Sequence, residues 1–177
     1  MTLETARLLL RPWRESDAES CYRYASDPLI GPIAGWPVHT SVENSREIIR
    51  TVLSAPDTFA VALKEKPGEA IGSAGVFPTD VAEAAGEPEI GYWIGRPFWG
   101  QGLIPEAVRE LLQYCFEEKC AQRVWCAHYA GNEKSKRVIE KCGFSYQLMC
   151  ERSTLVDDAP RPTFFYALTK EQWEQSR

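Results

Sequence analysis

Trp99-Gly100-Gln101-Gly102-Leu103-Ile104-Pro105-Glu106-Ala107 is the stretch on which the fold turns. Before it, Glu89 to Ile94 reads as a short strand with Gly91 inside it. After it, Leu103, Ile104, Ala107, Val108, Leu111, Leu112, Cys115 and Phe116 recur at three and four, the spacing of a helix with one buried face. Pro105 suits the opening of that helix, where its missing N–H is no loss. A strand, a glycine turn and a helix start aim several backbone N–H groups and the positive end of a helix dipole at one point, which suits a phosphate. A plain turn that needs glycine for positive φ accounts for the same residues. Two nucleotide motifs are excluded by position: a dinucleotide fingerprint begun at Gly100 requires glycine where Pro105 stands, and a P-loop requires Lys and Ser or Thr after its last glycine.

Outward from this turn, the chain alternates strands and helices. Thr2 to Trp13 reads as an opening strand with Arg7 and Arg11 on one face. A first helix starts at Ser16 and ends by Asp27, because Pro28 follows. Residues 28–40 carry Gly31, Pro32, Gly35, Trp36 and Pro37, a loop long enough to hold substrate. Ser41 caps a second helix that Pro56 stops. Phe59 to Leu63 and Ile71 to Val76 form an antiparallel hairpin, and an acidic loop from Thr79 to Pro88 leads into Glu89. Beyond the long helix come a strand over Arg123 to Ala127 and a helix over Asn132 to Cys142, stopped by Gly143. Two closing strands follow, Phe144 to Cys150 and Thr163 to Leu168. This is a mixed α/β order, and 177 residues without a low-complexity tract predict a single domain over 1–177.

Composition narrows the function. Twenty Lys and Arg against 25 Asp and Glu give a net charge of −5, which opposes the phosphate-backbone attraction that nucleic-acid binding needs. The apolar run Leu8 to Leu10, flanked by Arg7 and Arg11, is far too short for a membrane span or signal segment, so a cytoplasmic location is expected. Six scattered cysteines are expected as free thiols. Cys126 and His128 alone approach metal-ligand spacing, and no second pair lies near, so no metal is expected.

Asn132-Glu133-Lys134-Ser135 followed by Val138, Ile139, Cys142, Gly143 and Phe144 reads as a capped, amphipathic helix. With Thr5-Ala6-Arg7-Leu8-Leu9-Leu10-Arg11-Pro12-Trp13, Glu89-Ile90-Gly91-Tyr92-Trp93-Ile94 and the Trp99 to Ala107 turn, it makes four ordered blocks across nearly the whole chain. Together they resemble the GNAT superfamily of acetyl-CoA-dependent N-acetyltransferases, in the RimJ/RimL-like branch that acetylates ribosomal-protein N-termini. The resemblance implies a mostly antiparallel sheet flanked by helices and splayed around its fourth and fifth strands, with acetyl-CoA in the gap as co-substrate. It puts the pyrophosphate on the amides from Gln101 to Ile104, the pantetheine along the strand at Tyr92, Trp93 and Ile94 and against Asn132, and Ser135 at the sulfur. The chain departs from the family turn at Trp99 and Ile104, where Gln or Arg and Gly or Ala are common. Neither change removes a backbone donor.

The chemistry sets further demands. An attacking amine must be neutral, which an α-amino group near ~7.8 partly is and a lysine near ~10.4 is not. Glu89 is the first candidate base, with Asp80, Glu83 and Glu87 behind it; a solvated strand-end charge is the alternative reading of Glu89. Amides near Tyr92 to Ile94 suffice for the oxyanion. Trp36, Trp93 and Phe98, with the acidic loop, are candidates for an aromatic, negative mouth that takes the acceptor. The first expectation is acetylation of a protein N-terminus, by a monomer or homodimer. A small-amine acetyltransferase and a non-catalytic acyl-CoA-binding module are the alternatives.

Overall fold

The computed structural model describes residues 1–177. Its strands are β1 (Leu3–Glu4), β2 (Leu8–Pro12), β3 (Thr58–Leu63), β4 (Gly72–Pro78), β5 (Pro88–Ile94), β6 (Arg123–Tyr129), β7 (Ser145–Ser153) and β8 (Pro160–Thr169). They form one sheet in the order β1-β2-β3-β4-β5-β6-β8-β7. The helices are α1 (Ala18–Ala25), α2 (Val42–Ile48), α3 (Leu103–Gln113), α4 (Glu133–Lys141) and α5 (Lys170–Gln175). A wider turn, Ile49–Leu53 and Tyr114–Glu118, extends α2 and α3 respectively.

Period-two alternation gives the sheet two faces. Val61, Ala74, Val76, Ile90, Ile94, Val124, Cys126, Tyr166 and Leu168 share the main core with Leu103, Ile104, Ala107, Val108 and Leu111 of α3 and Ile139 of α4. On the other face Ala60 packs with Trp13, Ala18, Cys21, Ala25 and Ile49, so α1 and α2 cover that side. A smaller cluster there joins Trp125, Phe165 and Ala167 to Val81 and Ala84 of the acidic loop. No helix is long and apolar enough to cross a membrane.

The register explains the opening in the sheet. All neighbouring strands are antiparallel except β5 and β6, which pair in parallel only at Glu89↔Trp125 and Ile90↔Cys126. Beyond those two pairs β5 stays with β4 as far as Ile94↔Gly72, and β6 stays with β8 as far as Tyr129↔Thr163. The sheet forks, and the β5 edge facing the fork from Gly91 onward pairs with no strand. These are the fifth and sixth strands because the opening segment is divided into β1 and β2.

That division corrects the expected single opening strand. Thr5 N donates to Leu8 O at 3.0 Å and Leu8 N to Thr5 Oγ1 at 2.9 Å, a tight turn that folds β1 back on β2. Arg7 consequently sits outside β2, and it shares no partner with Arg11. Arg11 is buried, with its guanidinium on both oxygens of Asp17 at 2.8 and 2.7 Å and on Pro67 O at 2.9 Å. The long helix also begins earlier than Pro105: Gly102 is its N-cap, and Pro105 falls in the first turn, where amides have no intrahelical partner.

Candidate active site

A cavity of about 450 Å³ occupies the fork. One wall is Tyr92, Trp93 and Ile94 of β5, another is Gly100 and Gly102 to Pro105, and a third is Gly131 to Ser135 at the start of α4. Leu29, Ile30, Ile33 and Ala34 of the long loop close the remaining side.

The turn is built to expose backbone. Gly100 and Gly102 have φ of 74° and 73°, the left-handed region that side chains resist. A Cβ at Gly100 would meet nothing within 4 Å, and one at Gly102 only Arg7 Nη2 at 3.8 Å. The amides of residues 100 to 104 donate to no carbonyl. Free N–H groups converge at a helix N-terminus beside an open cavity, and this donor set fits a pyrophosphate.

Arg7 fixes the turn from below. Its Nη1 donates to Gln101 O at 3.0 Å, its Nε to Glu106 Oε2 at 2.7 Å, and its backbone N to Glu106 Oε1 at 2.8 Å, while Thr5 Oγ1 donates to the same carboxylate. Burial alone would raise the Glu106 carboxyl; the hydrogen bonds from Thr5 and Arg7 outweigh it and hold the group below its ordinary range. Sequence reading quoted Arg7 and missed this pairing, since nothing in a spacing of 99 residues signals it. Trp99 Nε1 donates to Ile94 O at 3.0 Å, and Lys134 Nζ lies 4.0 Å over the Trp99 ring, so the turn is also tied to β5 and α4.

On α4, Asn132 Oδ1 accepts from Ser135 N at 3.3 Å, the expected cap. Ser135 Oγ and Tyr92 Oη are 2.9 Å apart, and Tyr92 Oη also donates to Ser135 O at 3.3 Å. The phenol thus bridges the fork from β5 to α4. Burial pushes its pKa well above the ordinary tyrosine value.

The carboxylates behave differently from expectation. Glu89 is 1% exposed, which corrects the reading of a solvated strand end. Both its oxygens accept from Arg152, Nη1 and Nη2, at 2.8 Å each. Arg152 Nε also reaches Asp80 Oδ2 at 3.2 Å, and its guanidinium lies 4.7 Å from the Phe165 ring centre. Glu87 accepts from Arg123 Nε at 2.7 Å and Nη2 at 2.9 Å, and from Trp125 Nε1 at 2.7 Å; the Arg123 bonds hold it below the usual carboxylate range. Glu89 points to the face away from α3, outside the cavity lining. Glu83 is exposed.

Of the other expected residues, Tyr92, Trp93, Ile94, Phe98, Gly102, Leu103, Ile104, Asn132 and Ser135 line the one cavity. Gln101 does not; its carbonyl is taken by Arg7 and its side chain turns back to Pro97 O at 3.0 Å. Trp36 also stands behind the lining, its ring 5.5 Å from that of Trp93, which it props from the α1 side. Cys126 Sγ donates to Ile90 O at 3.3 Å and His128 stacks on Phe164, so that pair is absorbed in packing. No cluster of three metal-ligating side chains is present.

Comparison with known proteins bears on this geometry. The acetyltransferase (GNAT) domain family matches residues 7–145. YdaF of Bacillus subtilis (strain 168), named as a candidate ribosomal N-acetyltransferase, is 40% identical over 86 residues, a match that spans about half of either protein, 49% of this chain and 47% of that one. The uncharacterized N-acetyltransferase p20 of Bacillus licheniformis is 32% identical over 148 residues, covering 81% of this chain and 82% of that one. In three dimensions, RimJ of Mycobacterium smegmatis, solved in complex with CoA-disulfide, superposes with a TM-score of 0.76 at 24% identity, over 97% of this chain and 88% of that one. A forked sheet whose gap faces a helix-start turn of free amides, and a family match that spans both, lead to one conclusion: the chain belongs to the GNAT acetyltransferases.

Proposed function

We propose that this N-acetyltransferase acts on the α-amino group of a protein or peptide N-terminus. The observation that carries the reading is the state of the carboxylates. Asp80, Glu87 and Glu89, three of the four acidic groups nearest the start of β5, are each bound to an arginine. A carboxylate held in this way by a guanidinium is a poor base, and an acceptor that arrives already neutral is favoured. An α-amino group near ~7.8 meets that demand, whereas a lysine near ~10.4 is almost fully protonated at neutrality. The name of YdaF, a candidate ribosomal N-acetyltransferase, supports a protein acceptor.

Acetyl-CoA supplies an activated thioester when bound. The free amides from residues 100 to 104 receive its pyrophosphate, and the β5 edge left unpaired after Ile90 offers backbone groups to the pantetheine. Tyr92 to Ile94 and Ser135 line the same cavity, which supports strand amides as the oxyanion donors and Ser135 Oγ as the donor to the departing sulfur. The acceptor approaches past Leu29 and Ile33, which line the cavity and are 54% and 42% exposed, beside Trp93 and Phe98. That mouth is apolar, and the charges of Asp80 and Glu87 are compensated by arginine, so an uncharged first side chain fits it better than a cationic one.

The test is thiol release from acetyl-CoA with three acceptors: a peptide with a free N-terminus, the same peptide formylated at its N-terminus with an internal lysine, and spermidine. We expect turnover with the first alone. Equal turnover of the formylated peptide would overturn the assignment, and turnover confined to spermidine would move it to small amines.

A further inference from the structure

Tyr92 stands two strand positions beyond Ile90, the last residue that pairs β5 with β6, where the fork opens. Its ring packs against the main core and its hydroxyl lies 2.9 Å from Ser135 Oγ. Tyr92 Oη is the one polar partner of that hydroxyl; no carbonyl of the preceding helical turn accepts from it, although serine in a helix commonly bonds there. A phenol has one hydrogen to give; the two oxygens it reaches both belong to Ser135, and the Cys126 thiol beside it is a weaker acceptor whose own hydrogen goes to Ile90 O. When Tyr92 donates to Oγ, the serine's own hydrogen must point elsewhere, and the open direction is the cavity that both residues line.

We propose that Tyr92 is a positioning residue: its phenol orients the Ser135 hydroxyl so that the serine hydrogen faces the leaving sulfur. This inference rests on the acetyltransferase reading and adds a residue that acts through Ser135. The elevated pKa of Tyr92 keeps the phenol protonated across the working range, so the donor is always present. Ser135 would otherwise sample three rotamers, only a fraction of which aim at the sulfur.

The experiment is a double-mutant cycle with Tyr92→Phe, Ser135→Ala and the pair, read as kcat and KM for acetyl-CoA with thermal midpoints recorded beside them. Tyr92→Phe keeps the ring, so packing in the core is retained. We expect Tyr92→Phe to lower kcat roughly 3- to 10-fold with KM for acetyl-CoA unchanged, Ser135→Ala to lower it about 10-fold, and the double variant to match Ser135→Ala alone. Wild-type kcat in Tyr92→Phe, a raised KM, or losses that multiply in the double variant would each overturn the inference. A wild-type protein that turns over no amine would instead remove the acetyltransferase reading, and this inference with it.

Discussion

At the scale of single residues, Gly102 carries two requirements at once, a left-handed backbone and a clear approach to the amides after it. Gly102→Val imposes a β-branched side chain on both. The left-handed conformation alone costs about 1–2 kcal/mol, and a side chain facing the phosphates displaces them further. We therefore expect calorimetry to show acetyl-CoA affinity reduced at least about tenfold in a variant that still folds; unchanged affinity would sink the assignment of the turn. The positive-φ glycines of the turn and the Asn132 cap were legible in the sequence because each acts through its own backbone or its nearest neighbours, whereas Ser135 was a candidate only through the family resemblance. Glu89 was not, because its partner Arg152 lies 63 residues away and burial is a property of the assembled sheet. For the same reason Tyr92 read as a strand residue and not as the group that reaches Ser135.

Among elements, the helices and strands around the fork were legible from their period, and the long α3 most of all. Two elements were less so. The division of β1 from β2 depends on a Thr5 turn just before the apolar run Leu8 to Leu10, and α5 went unforeseen although its signal was present: Thr169 and Gln172 form a reciprocal cap, with Gln172 N donating to Thr169 Oγ1 at 3.2 Å and Thr169 N to Gln172 Oε1 at 3.0 Å. One prediction belongs here, because Arg152 of β7 ties that strand to β5 through Glu89 and to the acidic loop through Asp80. Glu89→Gln removes the charge from a buried ion pair, a change that costs about 3 kcal/mol at the lower end of such losses. For a chain of this size that lowers the thermal midpoint by roughly 6–12 °C. The folded variant should keep the pH profile of kcat/KM. A wild-type midpoint with kcat/KM down about 100-fold would instead make Glu89 the base.

For the whole molecule, acid stability follows from groups distributed over both faces. Burial alone would raise Asp57, but hydrogen bonds from Lys119 and Tyr114 lower it; Glu87 and Glu106 are lowered as well. A carboxyl depressed in the folded state stabilises above its unfolded value, ~3.9 for Asp and ~4.3 for Glu, and that stability is lost as pH falls through the folded value. His39, buried with Nδ1 2.8 Å from Ser45 Oγ, is lowered by burial, so the unfolded chain takes up its proton first as pH falls below ~6.5. The thermal midpoint should therefore be level between about pH 7 and 8, decline gently below about 6.5 and steeply below about 4.5, and fall again above ~8.5, where the unfolded chain ionises the thiols of Cys21, Cys115, Cys126 and Cys142 that burial keeps neutral in the fold. A midpoint that rises on acidification from pH 7 to 5 would contradict these assignments. Catalysis should follow a different group altogether, the amine of the acceptor, since the carboxylates at the head of β5 are committed to arginines. The most direct measurement is kcat/KM against pH for two peptides whose α-amino pKa values differ by about one unit within the ordinary range near ~7.7. We expect the rising limb to move with the peptide, by the same unit; a limb fixed at one pH for both peptides would place the base in the protein and contradict the proposed chemistry.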